Sequence, residues 1–175
     1  YYPGAGSFVV KLTADKATRK LLGVQVLGAG AVDKITDIGV TAISLGATVD
    51  QLAVMDFAYA PPFSTAIHPF AHSVNILMNK LDGELETLTP AEFAAGAAEG
   101  YEIIDCAIEP SLPGKKYLNL TKVDGEVPGL GREDKLLLVC AKGKRAYLTQ
   151  NRLKFYGYVN TRVLEGGTTF NEIEE

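Results

Sequence analysis

The sequence lacks the features that mark several protein classes. It has only two cysteines, Cys106 and Cys140, which are too few for a scaffold held together by disulfides. No apolar run reaches the ~18 residues of a membrane-spanning helix, and no repeat or low-complexity tract occurs. The net charge of −4 argues against nucleic acid as the main partner. We therefore expect an ordinary soluble globular chain, with no nucleic-acid or membrane partner.

The chain also lacks the signals of a complete or exported protein. It begins at Tyr1-Tyr2, with no initiator methionine and no signal-peptide pattern. We expect a piece of a longer, cytoplasmic protein, with its 175 residues forming one domain or two small ones. The polar stretch at residues 81–86 is the best candidate for a boundary.

The first half of the chain predicts an α+β unit. Two segments rich in Val, Leu and Phe predict an antiparallel hairpin. Helical apolar spacing follows, and Gly46 and Thr48 are typical of a helix end and a helix start. The predicted elements are strands over 8–12 and 21–27, and helices over 32–45, from Thr48 onward and over 72–81.

The second half predicts an α/β unit with a parallel sheet. Residues 135–140 (KLLLVC) form a continuous apolar run, which is typical of a strand buried on both faces. Strands alternate with helices, a pattern that favours a parallel, doubly wound sheet. The predicted elements are a helix over 89–100, strands over 101–105, 116–120 and 135–140, a helix over 145–156 and a strand over 161–164.

Cys140, at the carboxyl end of that buried strand, is the strongest candidate for chemistry. Ligands bind at the carboxyl ends of strands in parallel sheets. A loop that curls into a helix start points backbone N–H groups at an anion, and Gly143 lets this loop turn. Lys142, Lys144 and Arg145 add positive charge. A cysteine in this place is expected to be a thiolate nucleophile.

The charge distribution supports this prediction. Residues 110–162 hold eleven lysines and arginines against four acids, so anionic sulfur compounds would be drawn to this segment. The alternative is a purely structural role, with a buried cysteine beside a solvated basic loop. The strand-to-helix context disfavours it. Cys106, at the end of the preceding strand, either resolves a disulfide with Cys140 or is an inert buried thiol, and we favour the inert thiol.

Residues 87–173 resemble a rhodanese domain. The segment Cys140-Ala-Lys-Gly-Lys-Arg145 is similar to the C-x-x-G-x-R loop of that family. Ile103-Ile104-Asp105 and Leu164-Glu165-Gly166-Gly167 match as well. The resemblance implies transfer of sulfane sulfur through a Cys140 persulfide, with Arg145 as a catalytic residue and Asp105 as a support. The residues that it implies for the persulfide cradle are Ala141, Lys142, Gly143 and Lys144.

This sequence departs from the rhodanese pattern in three places, one of which is Ala146 where a Ser is common. Ala107 stands where the family usually has an arginine, and residues 110–115 read PSLPGK where G-H-I-P-G-A is usual. The resemblance therefore leaves two functions open. The domain is either an active sulfurtransferase or a docking or regulatory module.

Residues 1–79 resemble the C-terminal dimerisation domain of the pyridine nucleotide–disulfide oxidoreductases. The motif at residues 59–64 (YAPPFS) is typical of the coenzyme A–disulfide reductase and NADH oxidase branch, whose members often carry a C-terminal rhodanese domain. The resemblance implies a dimerisation domain over 1–82 and a rhodanese-like domain over 87–175. It also implies a homodimer, and FAD and NAD(P)H in the full-length parent. We expect no cofactor and no metal on this fragment alone. The other matching stretches are Tyr2-Pro3-Gly4, residues 20–25 and residues 32–35.

The same resemblance names two residues that would reach the partner subunit's redox site. It implies that Tyr59 approaches the redox cysteine and flavin there. His68 is either a proton relay or a turn residue, and we favour the turn because Ser73 stands where the glutathione reductase branch has an orienting Glu. The sulfane-sulfur donor and the thiol acceptor, for which coenzyme A is a candidate, are not named by the sequence. Residues 28–30 (GAG) lack the third glycine of a dinucleotide fingerprint, so we reject them as a nucleotide site.

Overall fold

A computed structural model of the chain describes residues 6–61 and 63–173. The chain divides into two units, Tyr1–Asp82 and Gly83–Glu175. The division falls within the polar stretch at residues 81–86. Two parts of the resemblance noted above, Tyr2-Pro3-Gly4 and Pro62, lie outside the described residues.

The first unit packs a hairpin against three helices. Strands β1 (Phe8–Ala14) and β2 (Leu21–Gly28) pair antiparallel, with one irregularity in register near Ala14. The helices are α1 (Val32–Ser44), α2 (Val49–Ala53) and α3 (Pro69–Leu81). This arrangement confirms the α+β class and the predicted hairpin.

The core of this unit lies between the hairpin and the helices. Helix α1 approaches β2 closely at Gly39, where any Cβ would collide with the side chain of Val24. Arg19 ties the hairpin turn to two other segments, because its guanidinium contacts Asp50 and Asp82, each at 2.7 Å. The buried hydrophobic residues are Leu21, Ile35, Ala42, Ala47, Val49, Leu52, Phe70 and Val74.

Helix α3 begins at Pro69, three residues before the predicted start at His72. His68 is its N-cap, and the Nδ1 atom of this histidine accepts the N–H of Phe70 at 3.2 Å. Pro69 fits the first turn because its missing N–H would have no partner there. The His68 side chain therefore caps the start of α3. The spacing of apolar residues alone did not predict this start.

The second unit is built on a five-stranded sheet in which every pairing is parallel. The strand order is β3-β7-β6-β4-β5. This confirms the predicted α/β class with a parallel sheet. The strands are β3 (Thr87–Leu88), β4 (Glu102–Asp105), β5 (Lys116–Tyr117), β6 (Leu136–Val139) and β7 (Thr161–Leu164). The helices are α4 (Pro90–Ala94), α5 (Lys144–Phe155) and α6 (Gly167–Phe170), with a 3-10 turn at Leu120–Lys122.

Strand β6 is central and buried along its whole length. Leu136 and Leu138 face one core together with Ala146 and Leu153 of α5. Leu137 and Val139 face the opposite core, where Phe93 of α4 packs. Because side chains alternate along a strand, two cores on two faces require an unbroken apolar run.

Three features of this unit differ from the sequence prediction. Helix α4 ends at Ala94 and not at Gly100, because the N–H groups of Gly96 and Ala97 bind the carbonyls of Phe93 and Glu92 and close the helix. Strand β5 stops at Tyr117, after which the chain turns. Strand β3 and helix α6 were not predicted, since each has only two to four residues.

Candidate functional site

The site begins where β6 delivers Cys140 to the carboxyl edge of the sheet. The side chain of Cys140 is 5% exposed. Four buried residues precede it and fix its position in both cores. The loop that follows runs directly into α5, so the nucleophile candidate lies between a rigid strand end and a helix start.

Gly143 turns the loop back toward the sulfur. Its backbone is left-handed, with φ of 92°, a conformation that glycine adopts without steric cost. In this conformation the Gly143 N–H donates to the Sγ of Cys140 at 3.2 Å. Gly143 is also the N-cap residue of α5, so its N–H adds to the positive end of the twelve-residue helix. The loop therefore places a backbone donor against the sulfur.

Helix α6 braces the outer side of the same loop. The N–H of Thr168 donates to the carbonyl of Cys140 at 3.1 Å. Thr169 donates twice to the carbonyl of Ala141, from its N–H at 3.1 Å and from its Oγ1 at 2.7 Å. Gly167 permits this approach, because a Cβ there would overlap the Cys140 carbonyl. Sequence analysis noted the Gly166-Gly167 pair but missed the two threonines, whose only signal was their position after it.

Arg145 is partly buried and binds the chain of the neighbouring strand. Its Nε donates to the carbonyl of Cys106 at 3.1 Å. Thr149, one turn further along α5, donates to the Arg145 carbonyl at 2.9 Å. Arg145 thus joins the start of α5 to the end of β4.

Asp105 is fully buried and organises the loop that follows β4. Its carboxylate accepts the N–H groups of Ala107 and Leu112, each at 2.9 Å, and both the N–H and the hydroxyl of Ser111. Ala107 and Ser111 are two of the positions where the sequence departs from the rhodanese pattern. The carboxylate is therefore satisfied by backbone donors and one hydroxyl.

The other members of the cradle point to solvent. Ala141, Lys142 and Lys144 are exposed, and the backbone hydrogen bond to the sulfur comes from Gly143. Solvent screens such surface charges, so their effect on a small anion is a general attraction.

Cys106 lies on the same face of the sheet as Cys140 and is fully buried. Burial raises the pKa of the Cys106 thiol to about 12. Its Sγ is 3.6 Å from the Ile104 carbonyl, and both cysteines are free thiols. Near neutral pH this thiol is therefore protonated and hidden from reagents in solution.

The two candidates in the first unit have different surroundings. Tyr59 is 65% exposed. His68 is 5% exposed, and its ring stacks on Phe57 with the ring centres 5.0 Å apart. Burial, helped by the charge of Lys34, lowers the pKa of His68. Ser73 donates to the carbonyl of Pro69 and does not orient the imidazole. His68 accordingly acts as a neutral helix cap in this structure.

The described residues offer no cradle for a dinucleotide at the glycine-rich turn. Gly28 packs against the backbone of Ser7 and Phe8, and the Ala29 N–H binds the Ser7 carbonyl, so the start of β1 fills this turn. Residues 6–61 and 63–173 contain no group of three or more His, Cys, Asp or Glu side chains placed to hold a metal. None of the described helices is both long and apolar enough to cross a membrane.

Comparison with known families shows what the first unit is similar to. Residues 1–71 match the pyridine nucleotide-disulphide oxidoreductase dimerisation domain. A coenzyme A–dependent NAD(P)H sulfur oxidoreductase of Pyrococcus furiosus is 36% identical over 77 residues, which are 44% of this chain and 17% of that protein. A coenzyme A disulfide reductase of Staphylococcus epidermidis is 38% identical over 69 residues, 39% of this chain and 15% of that protein.

Two solved structures match both units together. The reduced Bacillus anthracis CoADR-RHD covers 97% of this chain with a TM-score of 0.85 and 28% identity. An NAD-dependent persulfide reductase from A. fulgidus covers 97% with a TM-score of 0.80 and 32% identity. The chain spans 31% of each of these proteins. The first unit is thus similar to the dimerisation domain of the pyridine nucleotide-disulphide oxidoreductases, and the chain as a whole has the fold of the matching part of these two structures, with a rhodanese-like second unit.

The two cysteines are expected to differ in reactivity by a factor of ten or more (an order of magnitude), because only Cys140 has an activating environment. Iodoacetamide near neutral pH should modify Cys140 first, as followed by peptide mapping over time. Cys140→Ser should abolish the fast phase, whereas Cys106→Ala should leave it unchanged. Equal rates at the two positions would contradict the assignment of Cys140 as the nucleophile.

The stability of the first unit is expected to fall in acid through His68. Because its folded-state pKa is lowered, stability is fully present above the ordinary value of about 6.5 and is lost as pH falls from there through the folded pKa. Protonation of Nδ1 also removes the acceptor for the Phe70 N–H. His68→Asn keeps an N-cap acceptor and removes the titration. Denaturant unfolding at several pH values should show a flatter profile for the variant, and identical slopes would disprove this role.

Proposed function

We propose that the second unit is a rhodanese-type sulfurtransferase that carries sulfane sulfur as a persulfide on Cys140. The observation that supports this most is the loop at residues 140–145, in which the Gly143 N–H donates to the Cys140 sulfur at the positive end of α5. A persulfide is an anion, and backbone donors of this kind stabilise it. The similarity of the whole chain to the A. fulgidus persulfide reductase agrees with this chemistry.

The reaction would proceed in two displacement steps. The Cys140 thiolate attacks the sulfane sulfur of a donor such as thiosulfate; the donor S–S bond breaks, and sulfite leaves with the bonding electron pair. An acceptor thiolate then attacks the outer sulfur of the persulfide, and the Cys140 thiolate leaves. No net oxidation or reduction occurs, because the sulfane sulfur only changes carrier. The loop N–H groups oppose the negative charge at each stage.

The charged residues of the loop would have separate tasks. Arg145 holds the cradle in shape through the Cys106 carbonyl, and its charge lies beside the site. Lys142 and Lys144 project into solvent, where they attract anionic donors over a screening length that depends on the ionic strength. Asp105 would act as a support by anchoring the loop at residues 107–112.

The alternative is a docking or regulatory module without turnover. It is favoured by the departures at Ala107 and Ser111, since both positions donate hydrogen bonds to the buried Asp105 carboxylate. A module of this kind would still fold around the same loop. Turnover by the purified chain distinguishes the two functions.

We propose that the first unit forms a homodimer within a larger cytoplasmic enzyme. The dimerisation domain would span residues 1–82 and the rhodanese-like domain residues 87–175. The parent would be a coenzyme A–disulfide or persulfide reductase that uses FAD and NAD(P)H, and coenzyme A would be a thiol acceptor. Tyr59 and His68 would lie toward the partner's redox site. The start of β1 fills the turn at residues 28–30, so this turn would not hold either dinucleotide of the parent.

Arg145→Ala is expected to lower thiosulfate-to-cyanide turnover by a factor on the order of 10 to 100 at all salt concentrations. Lys142→Ala and Lys144→Ala should each lower it only about two- to threefold at low salt, and less at high salt. Cys140→Ser should be inactive. Full activity of Arg145→Ala, with a lysine variant inactive at every salt concentration, would refute this account of the loop. An inactive wild-type chain would favour the docking module.

The chain is expected to sediment as a dimer at ~50 µM, a concentration that populates an interface of ordinary affinity. Phe63, 83% exposed in the first unit, belongs to the segment that the resemblance places at the interface. Phe63→Glu should shift the mass toward the monomer. Phe155→Glu, at an equally exposed phenylalanine of the second unit (81%), is the matched control and should remain dimeric. A monomeric wild-type chain, or an equal effect of both variants, would contradict the assignment.

A further inference from the structure

Cys106 and Cys140 are neighbours across two adjacent strands. Strands β4 and β6 pair in parallel up to Asp105 opposite Val139. The N–H of Cys106 donates to the Val139 carbonyl at 2.6 Å, so the pairing continues past the strand ends. The next residues on the two chains are the two cysteines. Adjacent strands lie about 4.8 Å apart, within the roughly 4.4–6.8 Å that separates the Cα atoms of a disulfide.

The two side chains also project to the same face of the sheet. Both belong to the buried cluster that Ala146 and Leu153 of α5 cover. Each thiol is free. Register and face together bring the two sulfurs close.

Burial restricts what Cys106 can react with. Its side chain has no solvent exposure, so thiols and oxidants in solution do not reach it. The chain has no cysteine besides these two. The sulfur electrophile within reach of Cys106 is thus the Sγ of Cys140 once that sulfur carries a leaving group, such as the outer sulfur of a persulfide.

We propose that Cys106 is a resolving cysteine, which discharges an unused Cys140 persulfide as hydrosulfide and leaves a Cys106–Cys140 disulfide. This inference rests on the proposed function, because it takes the Cys140 persulfide as its substrate. It assigns a reaction to a buried thiol that sulfur transfer to an external acceptor does not use.

The step balances without an external oxidant. The outer sulfur of the persulfide anion takes the proton of the Cys106 thiol. The Cys106 sulfur then attacks the Sγ of Cys140, and the bond between Sγ and the outer sulfur breaks. The outer sulfur leaves as HS⁻ with the bonding pair and the proton. The sulfane sulfur is reduced to sulfide, while the two cysteine thiols become a disulfide.

This reaction is expected to be slow compared with transfer to an acceptor. The proton of Cys106 is held tightly in the buried site, so few attacks succeed while an acceptor is present. When the acceptor is scarce, the persulfide persists long enough for the slower reaction with Cys106 to occur. The product blocks the nucleophile until a reductant reopens it. The pair therefore limits how long a reactive persulfide persists.

The first test follows the intact mass of the chain after loading with polysulfide, with no acceptor and no reductant. We expect a gain of about 32 Da, one sulfur, that decays to a species about 2 Da lighter than the starting chain, which has lost two hydrogens. Hydrosulfide should appear with the same time course. In Cys106→Ala the heavier species should persist at least severalfold longer, without the lighter one. Equal lifetimes in both proteins would overturn the inference.

The second test uses diamide, which oxidises thiol pairs and needs no persulfide. It should produce the lighter species in the wild-type chain, and neither Cys106→Ala nor Cys140→Ser should show it. If polysulfide adds no sulfur, the proposed function fails and the diamide result alone decides whether the pair forms. An unchanged mass in diamide would overturn the pairing. Cys106→Ser serves as a second variant, and circular dichroism verifies that each variant is folded.

Discussion

The carbonyl groups of Cys140 and Ala141 are the points on which the site depends. Helix α6 binds both of them from outside, through two N–H groups and the hydroxyl of Thr169. With these carbonyls held outward, the loop can direct the Gly143 N–H inward to the sulfur. Each hydrogen bond contributes only about 1 kcal/mol, so the loop geometry results from several weak bonds acting on a short segment.

The parallel register of β4 and β6 sets the other side of the site. It puts Asp105 beside Val139, and one residue later it puts the two cysteines side by side. Arg145 completes the arrangement by binding the Cys106 carbonyl. The pairing of β4 with β6 therefore fixes the positions of Asp105, of the loop that follows Cys140 and of the Cys106 thiol.

The main outlines of both units were predictable from sequence because they depend on local patterns. The apolar run of β6 and the strand-to-helix turn at Gly143 indicated the sheet and the loop before any geometry was known. The contacts of Thr168 and Thr169 were not predictable, since they join segments 28 residues apart, two of the three through backbone N–H groups. The start of α3 was misplaced because a histidine cap has a weaker sequence signal than Ser, Thr or Asp. The Asp105 carboxylate accepts hydrogen bonds from Ala107 and Ser111, two of the positions that depart from the rhodanese pattern. Sequence spacing alone does not reveal these bonds.

The central claim is that the loop at residues 140–145 holds a sulfane sulfur on Cys140. The most direct measurement is a crystal structure of the Cys106→Ala chain after exposure to polysulfide, since this variant should retain the persulfide. The account predicts one extra sulfur on the Cys140 Sγ, inside the loop and within hydrogen-bond distance of its N–H groups. An unmodified Cys140, or an added sulfur directed away from the loop, would contradict it.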